Sequence, residues 1–203
     1  MSKVEWKPGT LVYPLPAALI SCGSKVDTKN LITISWTGTV NTNPPMLYIS
    51  VRPERHSYAI IKSEMEFVLN LTTKDMAFAT DWCGVKSGKD VDKFKEMNLH
   101  FIPASIVKCP MVKESPINIE CKVKQIIPLG SHDMFIAEVV KIHADEDFID
   151  EETGTFDMQK AKLMAYSHGF YYELGDKIGK FGFSVKKKKR NERVRRNNNT
   201  CLQ

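Results

Sequence analysis

Period-two alternation of oily and polar residues between Asn30 and Asn70 constrains this chain more than any other feature. In an extended strand, successive side chains point to opposite faces. Leu31–Thr37 then sets Ile32, Ile34 and Trp36 on one face and Thr33, Ser35 and Thr37 on the other. Met46–Arg52 repeats the pattern, with Leu47, Ile49 and Val51 opposed to Met46, Tyr48, Ser50 and Arg52. One-sided apolar strands of this kind build the core of a barrel or a sandwich.

The rest of the chain agrees. Ala17–Cys22, Glu66–Leu71, Ile117–Ile127 and Met134–Ile142 read as further strands, the last two flanking the turn Pro128–Asp133. Gly38, Asn41, Asn43, Pro44 and Pro45 predict a loop between the first two alternating runs. Helical signals are confined to the middle: Tyr58–Met65 with Ser57 as N-cap, Thr73–Trp82 ended at Gly84, and Val91–Met97. Strands before and after a helical insert predict a mainly β fold, a closed or split barrel with helical excursions, rather than an alternating parallel α/β sheet. Pro8, Pro14 and Pro16 make Met1–Pro16 an irregular N-terminal arm.

Arg52, Arg55, His56 and Ser57 stand just before the first expected helix. A helix N-terminus offers unpaired N–H groups and a positive dipole end, and arginine adds forked donors matched to phosphate oxygens. With the hydroxyls, aromatic and arginine of the polar strand faces, this cluster suits a flat, polar-edged ligand with a phosphate tail. The same residues also describe a solvated basic turn.

Length and composition are those of a single globular domain. There is no apolar run long enough for a membrane span and no signal-like N-terminal segment, so a cytoplasmic protein is expected. The basic balance of +5 is local: residues 184–203 carry eight Lys or Arg against Glu192, a net of about +7, which leaves residues 1–183 near −2. The chain therefore divides into a domain over 1–184 and a basic, Asn-rich tail over 185–203 that is expected to be disordered in isolation. Five scattered cysteines without C-x-x-C spacing imply reduced thiols rather than disulfides or a zinc site. Cys83 is the one to watch, read either as a redox thiol or as a small core residue. No nucleophile elbow, HExxH or paired-acid motif is present. Gly175, Gly179 and Gly182 lack the G-x-G-x-x-G spacing of a Rossmann fingerprint.

The ordered segments N-x-x-T-x-S-W-T-G, N-P-P, S-V-R-P-x-R-H-S and F-V-L-N, followed by Asp81–Phe94, Glu114–Cys121, Leu129–Phe135 and Tyr172–Ser184, resemble the flavin reductase-like, FMN-binding split-barrel proteins, in their flavoredoxin-type branch. The resemblance implies a Greek-key split β-barrel, noncovalent FMN, a homodimer and redox chemistry through the flavin. It implies that Thr33, Ser35, Trp36 and Thr37, with the backbone near Ile34, hold the ring edge and ribityl chain. Ser50, Val51, Arg52, Arg55, His56 and Ser57 would hold the ribityl hydroxyls and the phosphate. Ser87, Lys89 and Lys93 would close on the flavin or meet a partner subunit, and His132 would border a nicotinamide site as the catalytic candidate. NAD(P)H is then a possible co-substrate, without a binding domain of its own. Trp36 also has a core reading beside Ile32 and Ile34, and His132 also reads as a solvated turn residue. An electron carrier that exchanges electrons with a protein redox partner is the alternative to a reductase. A barrel binding nucleic acid or an acidic surface through the tail is a third reading, and the near-neutral body argues against it.

Overall fold

The computed structural model describes residues 1–185; the basic run Lys186–Arg196 and the rest of the expected tail lie outside the described residues. The strands are β1 (Leu15–Pro16), β2 (Ala18–Cys22), β3 (Asn30–Ile34), β4 (Thr37–Thr42), β5 (Pro45–Val51), β6 (Glu66–Leu71), β7 (Phe101–Ile102), β8 (Met111–Val112), β9 (Ile117–Pro128), β10 (Asp133–Ala144), β11 (Met164–Ser167) and β12 (Phe170–Glu173). The helices are α1 (His56–Glu64), α2 (Ala77–Val85) and α3 (Lys93–Glu96).

One seven-stranded sheet in the order β3-β2-β6-β9-β10-β5-β4 dominates, and all its pairings are antiparallel. Its two edge strands are consecutive in the chain, joined only by Ser35 and Trp36. At about 3.3–3.6 Å per residue so short a link cannot cross an open sheet of this width, so the sheet must curl until its edges meet. A hydrogen bond from the Ser50 N–H to the Trp36 carbonyl, at 2.9 Å, ties the link to β5.

The alternating positions fill the interior of this curl. Ile20, Ile32, Ile34, Leu47, Ile49, Val51, Phe67, Leu69, Val123 and Phe135 pack in one buried cluster, with Ile61 of α1 plugging it. β2 is buried throughout because it also has cover outside: Leu19 packs with Met76, Cys83 and Phe94 beneath α2 and α3. Buried Asn70 spans the outer layer, donating to the Leu19 carbonyl and accepting from the Val112 N–H and the Asn118 amide. Buried Glu120 likewise accepts from the backbone N–H groups of Ser105, Ile106 and Val107, and it pairs with His143 at 2.6 Å.

Several expectations need correction. Residues 37–42 form edge strand β4, not a loop; beyond Thr37 and Gly38 its side chains are exposed, so no oily alternation marks it. β3 ends at Ile34, and Trp36 leaves the core face at the corner. Helix α1 starts at His56 with Arg55 in the cap position and no side-chain cap. Ser57 sits inside the helix because its hydroxyl is taken by the buried Asn30 amide at 2.8 Å. The run from Thr73 splits into a 3-10 turn over Lys74–Met76 and α2. Gly84 lies inside the last turn of α2, where a Cβ would come within 3.1 Å of the Thr33 side chain. The short helix α3 is capped by Asp92, which accepts from the Phe94 and Lys95 N–H groups. The hairpin β11–β12, which pairs with β1, carried no sequence expectation.

Candidate functional site

Two hollows meet where the sheet edges come together. The first, about 200 Å³, lies between the end of β5, the start of α1 and the loop after α2. Arg52, Arg55, His56, Ser57, Ser87 and Lys93 line it, as do Asn30, Cys83, Lys86 and Gly88. The second, about 270 Å³, is lined by Thr33, Ile34, Ser35, Trp36, Ser50 and His132, with Tyr166 from β11. Ile32, Arg52 and Arg55 border both, so the hollows form one trough.

The first hollow is built for negative charge. It holds the N-terminus of α1, which has no side-chain cap and no acid in its first turn. The free N–H groups and the dipole there favour an anion. Lys93 is only 4% exposed, and its ammonium donates to the Leu31 and Cys83 carbonyls at 2.7 Å each. Two of its three protons are thereby placed, and burial lowers its pKa. Asn30 is pinned to Ser57, and Gly88 closes over it; a Cβ on Gly88 would sit 2.1 Å from the Asn30 side-chain oxygen Oδ1. Glu54 is the one acid on the lining and pairs with Arg52 at 3.4 Å. The Cys83 thiol is pushed up to about 11 by burial, against the pull of Lys93, so at neutral pH it is a protonated packing residue.

The second hollow is aromatic and hydroxylic. The Trp36 and His132 rings lie 4.5 Å apart with planes inclined by 38°. Burial lowers the pKa of His132, and Arg52 and Arg55 lower it further against the opposing pull of Glu54, so the ring is neutral at pH 7. Ser131 holds its Nδ1 at 3.0 Å. Among the described residues, no protein group hydrogen-bonds the Ser35 or Ser50 hydroxyl, the Trp36 indole N–H or the Arg55 guanidinium, while the Thr33 hydroxyl is spent on the Thr80 carbonyl. Unspent donors along a trough that is basic at one end and aromatic at the other fit a flat ring carrying a phosphate chain.

Most of the residues named from the sequence therefore come together here. Thr37 and Val51 are placed differently: Thr37 turns its hydroxyl onto the Tyr48 carbonyl at 2.5 Å, and Val51 is fully buried in the barrel interior. Both brace the trough rather than line it. Lys89 is exposed and lines neither hollow. Asn30, Lys86 and Tyr166 were not named as site residues. Asn30 opens the N-x-x-T-x-S-W-T-G segment, so a signal existed for it, whereas Tyr166 arrives through the unmarked β11.

The fold and the trough define a flavin reductase-like flavoprotein. A model of the flavin reductase-like domain matches residues 10–175, and the chain belongs to that family, in its flavoredoxin branch. The structure of flavoredoxin from Desulfovibrio vulgaris (Miyazaki F) is similar at a TM-score of 0.85 and 26% identity, covering 91% of this chain and 100% of that one. Flavoredoxin from Methanosarcina acetivorans aligns at 0.81 and 26% identity, over 92% of this chain and all of that one. An uncharacterized protein of Pyrococcus abyssi is 30% identical over 64% of this chain and 74% of its own length. The split-barrel architecture expected from the sequence is shared with a split barrel domain protein from Shewanella frigidimarina, similar at a TM-score of 0.75 and 24% identity over 84% of this chain and 86% of that one. Among the described residues no helix is long and apolar enough to cross a membrane.

Proposed function

We propose that the trough binds FMN noncovalently, with the phosphate in the basic hollow and the isoalloxazine in the aromatic one. In this reading the protein passes electrons or hydride between the flavin and NAD(P)H or a protein donor. The observation that carries it is the continuity of the two hollows through Arg52 and Arg55. Bound FMN supplies hydride and single-electron transfer, which side chains do not provide. Arg52, Arg55 and the first turn of α1 neutralise the phosphate. Ser35 and Ser50 offer hydroxyls to the polyol and the ring edge. Neutral His132, held by Ser131 and packed against Trp36, borders the face on which a nicotinamide would have to come within about 3–3.5 Å of the reacting atom. It offers a hydrogen bond there without a permanent charge. The open side of the ring hollow is covered in this proposal by a second copy of the chain in a homodimer, which sedimentation of the FMN-loaded protein tests: a monomer that keeps its flavin removes the dimer.

The experiment that decides flavin binding compares FMN with riboflavin. A charge-assisted phosphate contact is worth roughly 1.5–3 kcal/mol, so Arg55→Ala weakens FMN by about one to two orders of magnitude. Riboflavin, without the phosphate, binds wild type and variant alike. Equal FMN affinity in the two proteins would falsify the assignment. Anaerobic stopped-flow reduction then separates the donors: reduction by a ferredoxin-like protein but not by NAD(P)H places the chain with electron carriers.

A further inference from the structure

Residues 9–13 of the N-terminal arm wall a further hollow of about 450 Å³, together with Leu15, Trp36, Tyr48 and Ser50. It shares Trp36 and Ser50 with the aromatic end of the trough. The arm is held in register there by pairing of Leu15 with Tyr166 and of Pro16 with Ala165. The Tyr13 ring also stands edge-on to those of Tyr166 and His168, each with centroids 6.0 Å away. Three aromatic residues line this hollow, and no lining residue is charged. Lys7 of the same arm lines an adjoining hollow that shares Gly9, Thr10, Leu11 and Tyr13 with this one, and Arg52 and Arg55 belong to the trough.

We infer that the arm hollow seats the second substrate beside the flavin ring, and that it takes an uncharged planar aromatic molecule in preference to an anionic one. The inference rests on the flavin reading above, because the shared Trp36 and Ser50 wall is what brings such a molecule alongside the cofactor. Its volume falls within the range of about 300–1,000 Å³ typical of small-molecule sites. An anion seated in it would leave water without a cation in the lining to pair with, a cost that an uncharged ring avoids. Tyr13, Trp36 and Tyr48 supply apolar area and aromatic surfaces for stacking or edge contacts.

The test uses the full-length protein loaded with FMN and ligand-observed saturation-transfer NMR with two probes of like size, 2-naphthol and 2-naphthalenesulfonate. The expected result is naphthol binding, with the sulfonate weaker by roughly tenfold or more, as desolvating an unpaired charge requires. Leu11 is 59% exposed, so substitutions there spare the core. Leu11→Asp weakens naphthol by about tenfold through the cost of a charge in an apolar wall, while neutral Leu11→Asn has a smaller effect. Equal binding of the two probes, or naphthol binding indifferent to Leu11→Asp, would overturn the inference. Flavin absorbance of the same samples keeps the two readings apart. Bound flavin without naphthol binding removes the inference alone, whereas wild type that takes up no FMN removes the flavin reading.

Discussion

The two ends of the trough are built differently. At the basic end the buried groups behind the two arginines are fixed by one another: Lys93 by two carbonyls, Asn30 by Ser57, and Gly88 by the Asn30 amide beneath it. At the aromatic end the Ser35, Ser50 and Trp36 donors have no protein partner among the described residues, and the neighbouring arm is tied by little more than β1 and the Tyr13 contacts. Rigid hydrogen bonding suits a permanent anchor, since binding then orders little that was free. Unspent donors and a lightly tied wall suit molecules that come and go. In the proposed function, tight holding and turnover fall to opposite ends of one groove.

Substitutions that exchange these characters test the contrast. The largest effect is expected from Lys93→Met, which strips two buried carbonyls of their donor at roughly 1–3 kcal/mol each. Urea unfolding should show a loss of about 2–6 kcal/mol, accompanied by weaker FMN binding. Weakened FMN with unchanged stability would make Lys93 a ligand contact only and the anchor less rigid than described. At the other end, His132→Ala should slow flavin reduction by about tenfold, close to 1.4 kcal/mol, with FMN affinity and stability held. A drop in FMN affinity there would erase the division of labour, and unchanged kinetics would return His132 to the surface.

The smallest effect is electrostatic. Because the His132 pKa is lowered in the fold, the unfolded chain takes up a proton first as pH falls through the ordinary value of 6.5. The contribution of this group is therefore complete above that pH, and it declines as pH drops toward the lower folded value. An NMR titration should place the His132 midpoint below 6.5, and Arg52→Gln should raise it only in part, since burial is the larger cause. A midpoint at or above 6.5 would detach the ring from the field of the two arginines.

The contrast also explains what the sequence made legible. Strands with an oily face were readable because their alternating residues meet in one interior: Ile32 and Ile34 across from Leu47, Ile49 and Val51. β4 was not, because an edge strand with an exposed outer half needs no apolar pattern. At the anchor, Arg52, Arg55, His56 and Ser57 fall within six residues and announce themselves as a basic turn before a helix. At the aromatic end the lining is gathered from far apart. Tyr166 comes from a hairpin with no sequence signal, and Trp36 escapes the alternation that groups it with Ile32 and Ile34, because the strand stops at Ile34. Periodicity shows which side a strand residue faces, and it is silent where the strand ends.

The corner at Ser35–Trp36 links the dimensions of the site to those of the whole domain. Both edges of the sheet are fastened to it, so it acts as the jaw of a caliper whose gap is set by the frame. Trp36 cannot shift outward by much unless the circumference of the barrel gives, and that circumference is fixed by the packed interior. A gap defined this way has a width set independently of the arm beside it. One added residue at the corner, some 3.3–3.6 Å of slack, would release that calibration and leave the fold otherwise intact.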